Sequence, residues 1–130
     1  MIHESLRIPV AAPMTDINAI KNLVLQFRDK RNWKQFHTLK NLIISLNLEA
    51  SELLELTQWK TDEELAALKT DNDFQEALRD ECADVLLYLL LVAEEGGIDL
   101  LQAAHAKLLR NELRYPVKES FGAAKKYTDL

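Results

Sequence analysis

Four acidic residues stand in two equally spaced pairs, Glu49 with Glu52 and Glu81 with Asp84. On an α-helix, i and i+3 side chains share one face within a single turn. Both pairs lie in leucine-rich stretches, LIISLNLEASELLELTQW and ALRDECADVLLYLLLVAEE. A charge among apolar residues is costly unless it is paired or holds a metal. Four acids on apolar faces therefore point to a cation site. Oxygen-only ligand sets suit hard cations, Mg²⁺ above all, or Mn²⁺. No histidine follows any of these acids at three residues, so the Glu-x-x-His pattern of di-iron bundles is missing. Mg²⁺ held by a few carboxylates commonly shares substrate phosphates, which implies a phosphorylated ligand. An ion there could polarise a phosphoryl oxygen and help generate a hydroxide nucleophile. The competing reading is plain: acid pairs at this spacing also arise as solvated faces of acidic helices.

These pairs need long helices to carry them, and the periodicity supplies them. Residues 1–14 read as an irregular arm, since Pro9 and Pro13 interrupt regular helix. Thr15 is a candidate N-cap for a first helix with Ile17, Ile20, Leu23, Val24 and Phe27 at helical spacing, fading near Asn32. The link Trp33-Lys34-Gln35-Phe36-His37 is aromatic and polar, and loops held by a rigid scaffold often carry binding residues. Thr38 caps a second helix that runs to about Trp59. Glu49 and Glu52 share an arc of it with Leu42, Leu53 and Leu56, while Ile43, Ile44, Leu48 and Leu54 lie elsewhere around the cylinder. A helix apolar on several sides is buried on several sides, which in so short a chain favours a subunit interface. Thr61 through Glu64 reads as a capping box opening a short helix of about ten residues. Asp71-Asn72-Asp73 breaks that helix and caps the next, from about Phe74 to Glu95, where Gly96-Gly97 ends it. Its later half is almost wholly apolar and should be central, with Glu81, Asp84 and Tyr88 on one stripe. Asp99 caps a last helix to about Arg114, and Pro116 stops it. The tail from Val117 to Leu130 shows no periodicity.

Composition bounds the class. At 130 residues the chain reads as one domain with a real core, and an apolar fraction of 48% with three Gly and three Pro favours long helices over turns. A net charge of −5 argues against non-specific binding to nucleic acid or to an anionic membrane. One cysteine excludes an internal disulfide framework and fits a reducing compartment. Cys82 lies off the acid stripe and reads as a buried small apolar group. The start lacks a basic region followed by an apolar core, and the longest apolar run, Val85 to Ala93, is too short to span a bilayer. The expectation is a cytoplasmic protein with no membrane and no nucleic-acid polymer as partner.

Glu-x-x-Glu, 28 intervening residues, then Glu-x-x-Asp resembles the MazG-like all-α nucleoside triphosphate pyrophosphatases. FRDKRNWKQFHTLKN, Trp59-Lys60, Asp84 through Leu89, Lys107 through Asn111 to Arg114-Tyr115-Pro116, and Lys126-Tyr127-Thr128 look like the dCTP pyrophosphatase branch. So many separated blocks are far more specific than the acids alone. The resemblance implies an all-α helical bundle completed by homo-oligomerisation, as a dimer or as a tetramer built from two dimers. It divides the chain into an arm, 1–14, a catalytic helical domain, 15–116, and a tail, 117–130, that closes on the site.

The resemblance also implies roles. Glu49, Glu52, Glu81 and Asp84 match Mg²⁺ ligands, one of which also orients or deprotonates the attacking water; which one stays open. Trp33, Trp59 and Tyr88 match aromatic positions that enclose the base, where stacking is worth roughly 1–3 kcal/mol per base; ordinary core packing is the alternative. Lys107, Asn111 and Arg114, at i, i+4 and i+7, with Tyr115 after them, match residues that reach the triphosphate. Without the resemblance they read as a solvated basic face at a helix C-terminus. Lys125 and Lys126 could extend that cluster. Val24 stands where animal members favouring dCTP carry a base-reading histidine, which puts cytosine selectivity in question; His37 is a second candidate for that role, or an ordinary loop histidine. The implied activity is Mg²⁺-dependent hydrolysis of a nucleoside triphosphate, dCTP or a related or modified dNTP, to monophosphate and pyrophosphate, serving nucleotide-pool house-cleaning. The alternatives are a nucleotide-binding protein without catalysis and a structural helical oligomer.

Overall fold

The computed structural model describes residues 16–129, and every regular element among them is helical. The expected arm lies outside the described residues, and the N-cap of the first helix is Asp16, whose carboxylate accepts from Asn18 N, rather than the expected Thr15. The chain divides into two units, the first ending at Gly96 and the second beginning at Gly97.

The first unit holds α1 (Ile17–Lys30), α2 (Leu39–Glu55), α3 (Asp62–Ala67) and α4 (Asn72–Glu95). Each helix opens on an oxygen-bearing cap. Asp16 accepts from Asn18 N, Thr38 from Asn41 N, Thr61 from Glu64 N and Asp71 from Phe74 N. Each cap satisfies one orphan donor of the first turn. The second half of α4 is central as expected, with Leu90, Leu91 and Ala93 buried. It packs chiefly against α2, whose Leu42 is, among the described residues, the most deeply buried side chain at 2% exposure, and also against α1, where Val24 is buried. Lys21 on α1 pairs with Glu94 on α4 at 3.1 Å, but both are well exposed, so the pair adds little.

α1 ends in a Schellman motif. Asn32 takes the left-handed conformation at φ 54°, its N–H donates to Asp29 O, and Trp33 N–H donates back to Arg28 O at 3.1 Å. Trp33 then meets Phe27 edge to face at 5.8 Å, the apolar contact that accompanies this motif. The aromatic link that follows is thus anchored by backbone hydrogen bonds. It makes one 3₁₀ turn, Lys34–Phe36, before Thr38 opens α2.

Several sequence expectations need correction. α2 stops at Glu55 rather than near Trp59, because Thr57 N and Oγ1 both donate to Leu54 O and Lys60 Nζ donates to Leu56 O, closing the last turn early. α3 is six residues followed by a 3₁₀ turn, Leu68–Thr70. Cys82 is exposed, not buried; it shares a face of α4 with Leu86, itself 40% exposed.

The second unit begins with Gly97 at φ 64°, the left-handed position that favours glycine after a helix end. Asp99 caps α5 (Leu100–Arg114) through Gln102 N. Pro116 ends α5 as expected, and its carbonyl then accepts from Ser120 N–H at 3.0 Å to open a short turn, α6 (Val117–Ser120). The tail is not wholly irregular: Tyr127–Asp129 forms a 3₁₀ turn, with the Tyr127 ring edge-on to Tyr115 at 6.0 Å and 5.0 Å from the Arg114 guanidinium.

Candidate functional site

α2 and α4 bring the two acid pairs against each other. Glu49, Glu52 and Glu81 each offer a carboxylate oxygen within 4.8 Å of the others. Glu49 and Glu81 are half-buried, and the Oε2 atom of each is buried with no hydrogen-bond partner. Buried polar atoms are rarely left unpaired, and two orphaned carboxylate oxygens beside a third acid form a socket of negative charge. The consequence is visible in their acidity. Desolvation, then a shared hydrogen bond with Glu52 and the charges of Glu52, Asp84 and Glu81, pushes Glu49 from 4.5 up to about 7. Glu81 is raised by the same kinds of cause, with desolvation first. Like charges that cannot all ionise together are relieved by a proton or by a cation. Oxygen donors so arranged fit a hard divalent ion.

Asp84, the fourth expected ligand, is not one of this close trio, although its charge raises both Glu49 and Glu81. It lines the adjoining cleft, about 360 Å³ in volume, between α1, the aromatic link and α4. Leu23, Val24, Phe27, Leu87 and Leu91 give that cleft an apolar floor, and Trp33, His37 and Tyr88 border it. Asp84 therefore joins acid cluster to cleft. A mostly apolar cleft that carries aromatic rings and one acid of the cluster can stack a ring and present an attached anion to a metal. His37 has its Nδ1 buried without a partner; burial, then the Arg28 charge, lowers its pKa below 6.5 against the opposing effect of Glu95.

Trp33, His37 and Tyr88 line one cleft, whereas Trp59 is 86% exposed in the turn after α2 and is not among the cleft's lining residues. Lys107, Asn111, Arg114 and Tyr115 belong to the second unit, where Tyr115 N–H donates to Asn111 O and Arg114 lies over Tyr127. The sequence reading missed Arg28, a cleft-lining residue only 8% exposed. Its signal was available: it follows Val24 by four residues on the apolar stripe of α1.

A sequence model of the MazG-like family matches residues 44–130. The chain belongs to the MazG-like family. Its relatives include dCTP pyrophosphatase 1 of Mus musculus, 41% identical over 119 residues, which are 92% of this chain and 70% of that protein. The Bos taurus dCTP pyrophosphatase 1 is 43% identical over 111 residues, 85% of this chain and 66% of its own length. The matched segment thus spans only about two thirds of these mammalian proteins. The crystal structure of a pyrophosphatase from Archaeoglobus fulgidus is similar at a TM-score of 0.71 and 34% identity, covering 83% of this chain and 99% of that one. Family, all-α fold and enzyme class agree with the sequence reading.

Proposed function

We propose that the chain is a Mg²⁺-dependent nucleoside triphosphate pyrophosphohydrolase acting on dCTP or a related or modified dNTP. The observation that carries this reading is the convergence of Glu49, Glu52 and Glu81 beside an aromatic-edged cleft, joined to it by Asp84. The likeness to dCTP pyrophosphatases supplies the substrate class.

Glu49, Glu52 and Glu81, with Asp84 beside them, hold the cation. When bound, it supplies Lewis acidity toward phosphate oxygens and offsets the negative charge of site and substrate. Trp33 and Tyr88 stack the base, and His37 faces its edge. One of the four carboxylates accepts a proton from water. The water oxygen bonds to the α-phosphorus as the bridge to the β-phosphate breaks, giving monophosphate and pyrophosphate. The resemblance assigns the triphosphate to Lys107, Asn111, Arg114 and Tyr115, whose cations and donors suit a departing pyrophosphate. It likewise treats residues 15–116 as the catalytic domain, residues 117–130 as a tail that closes on the site, and a homodimer or homotetramer as the working form. The role is nucleotide-pool house-cleaning in the cytoplasm, in keeping with the single cysteine.

Pyrophosphate release from a panel of NTPs and dNTPs, with Mg²⁺ or with EDTA, tests the reading. Release that requires Mg²⁺ and favours a deoxynucleotide is the expected result. A folded protein that releases none would leave a nucleotide-binding role without catalysis.

A further inference from the structure

Arg28 is costly where it stands. It occupies the inward face of α1 between Val24 and the Asn32 turn, a place a leucine would fill more cheaply, yet its side chain is only 9% exposed. A buried guanidinium is destabilising unless its charge and its donors are matched. Its Nε donates to Asp29 Oδ1 at 2.8 Å, but Asp29 is largely exposed and engages only that one nitrogen. Arg28 lines the cleft together with Val24, which cannot hydrogen-bond, and with His37, whose Nδ1 is buried and unpartnered. The cleft is thus lined by a guanidinium, by an imidazole with one unpartnered ring nitrogen, and by the aromatic rings of Trp33 and Tyr88.

We propose that Arg28 is the specificity-determining residue of the cleft, reading the two adjacent acceptors, N3 and O2, on the edge of a cytosine, while His37 Nδ1 accepts from the cytosine amino group. This rests on the hydrolase reading for the substrate class but not for its test. The fork geometry of arginine matches paired acceptors. Cytosine presents donor, acceptor, acceptor in order along this edge. Uracil and thymine present acceptor, donor, acceptor, so their N3–H meets an arginine N–H and leaves both buried donors unpaired, a costly mismatch. His37 accepts at Nδ1 when neutral and protonated at Nε2, and burial with the Arg28 charge disfavours its cationic form.

The test is calorimetric binding of deoxynucleoside monophosphates, which needs no turnover. The wild-type protein is expected to bind dCMP about tenfold or more tighter than dUMP or dTMP. The pyrimidin-2-one deoxynucleotide keeps N3 and O2 but lacks the amino group, and should fall closer to dCMP than to dUMP. In Arg28→Lys and Arg28→Gln, with helicity checked by circular dichroism, the gap between dCMP and dUMP should largely close. A gap unchanged in both folded variants overturns the proposal. So does a wild-type protein that prefers dTMP or dGMP, that binds none of these nucleotides, or that binds the pyrimidin-2-one nucleotide no better than dUMP; these wild-type arms decide even where a variant does not fold. Pyrophosphate release from wild-type enzyme, measured alongside, reports separately on the hydrolase reading.

Discussion

Glu49 keeps its proton to about pH 7 in the metal-free protein because it is desolvated and surrounded by Glu52, Asp84 and Glu81. Its folded pKa stands above the ordinary 4.5, so between those values the folded state holds more protons than the unfolded chain. Stability in EDTA should therefore be highest at the acid end of that window and fall as pH rises through it. Glu81 shifts in the same direction and adds to the fall. Saturating Mg²⁺ should raise the melting temperature most at the upper end, where the carboxylates are ionised. A Tm that rises with pH in EDTA over the same window would contradict the acid socket. Glu52 offers an oxygen to both neighbours, so Glu52→Ala should lower pyrophosphate release at least ~100-fold, as expected for a lost electrostatic contact to the reacting group, with helical circular dichroism unchanged. Tyr88→Ala should instead raise KM by about tenfold, the value of one lost base stack; an unchanged KM would remove Tyr88 from the base slot.

The helices position these residues through their ends as much as through their packing. Asn32 holds φ 54° so that Trp33 can return its N–H to Arg28 O and set its ring on Phe27. Asn32→Val should cost about 1–2 kcal/mol in denaturant unfolding, since a β-branched residue resists that conformation, while Asn32→Gly should be nearly neutral. Trp33 fluorescence should change in the first variant and not in the second. The helix starts were legible because Thr38, Thr61, Asp71 and Asp99 are caps by residue type. The end of α2 was not, because Thr57 and Lys60 terminate it by side-chain bonds to backbone carbonyls that periodicity does not show. The acid pairs were legible as spacing. Their convergence, and the retreat of Asp84 to the cleft wall, depend on the crossing of α2 and α4, which no single helix specifies. Arg28 escaped because a charge at the end of an amphipathic helix ordinarily points to solvent.

At the scale of the whole molecule, the chain leaves much apolar surface open. Leu48, Leu54 and Trp59 are 61%, 58% and 86% exposed in the first unit, and Leu113 and Phe121 are 83% and 88% exposed in the second. Monomeric proteins rarely leave contiguous apolar patches uncovered, and the same excess of apolar faces on α2 was readable from its sequence. A homo-oligomer is the form we expect in solution, and sedimentation equilibrium should report a dimer or tetramer at micromolar concentration. Leu48→Glu should shift that equilibrium toward monomer; a strictly monomeric wild-type protein would contradict the expectation. Among the described residues no helix is long and apolar enough to cross a membrane.

The measurement closest to the central claim is hydrolysis of dCTP in ¹⁸O-labelled water with Mg²⁺. We predict dCMP and pyrophosphate as the products, with the label on the dCMP phosphate, because water attacks the α-phosphorus. Label in pyrophosphate, release of orthophosphate, or turnover that persists in EDTA would contradict the account.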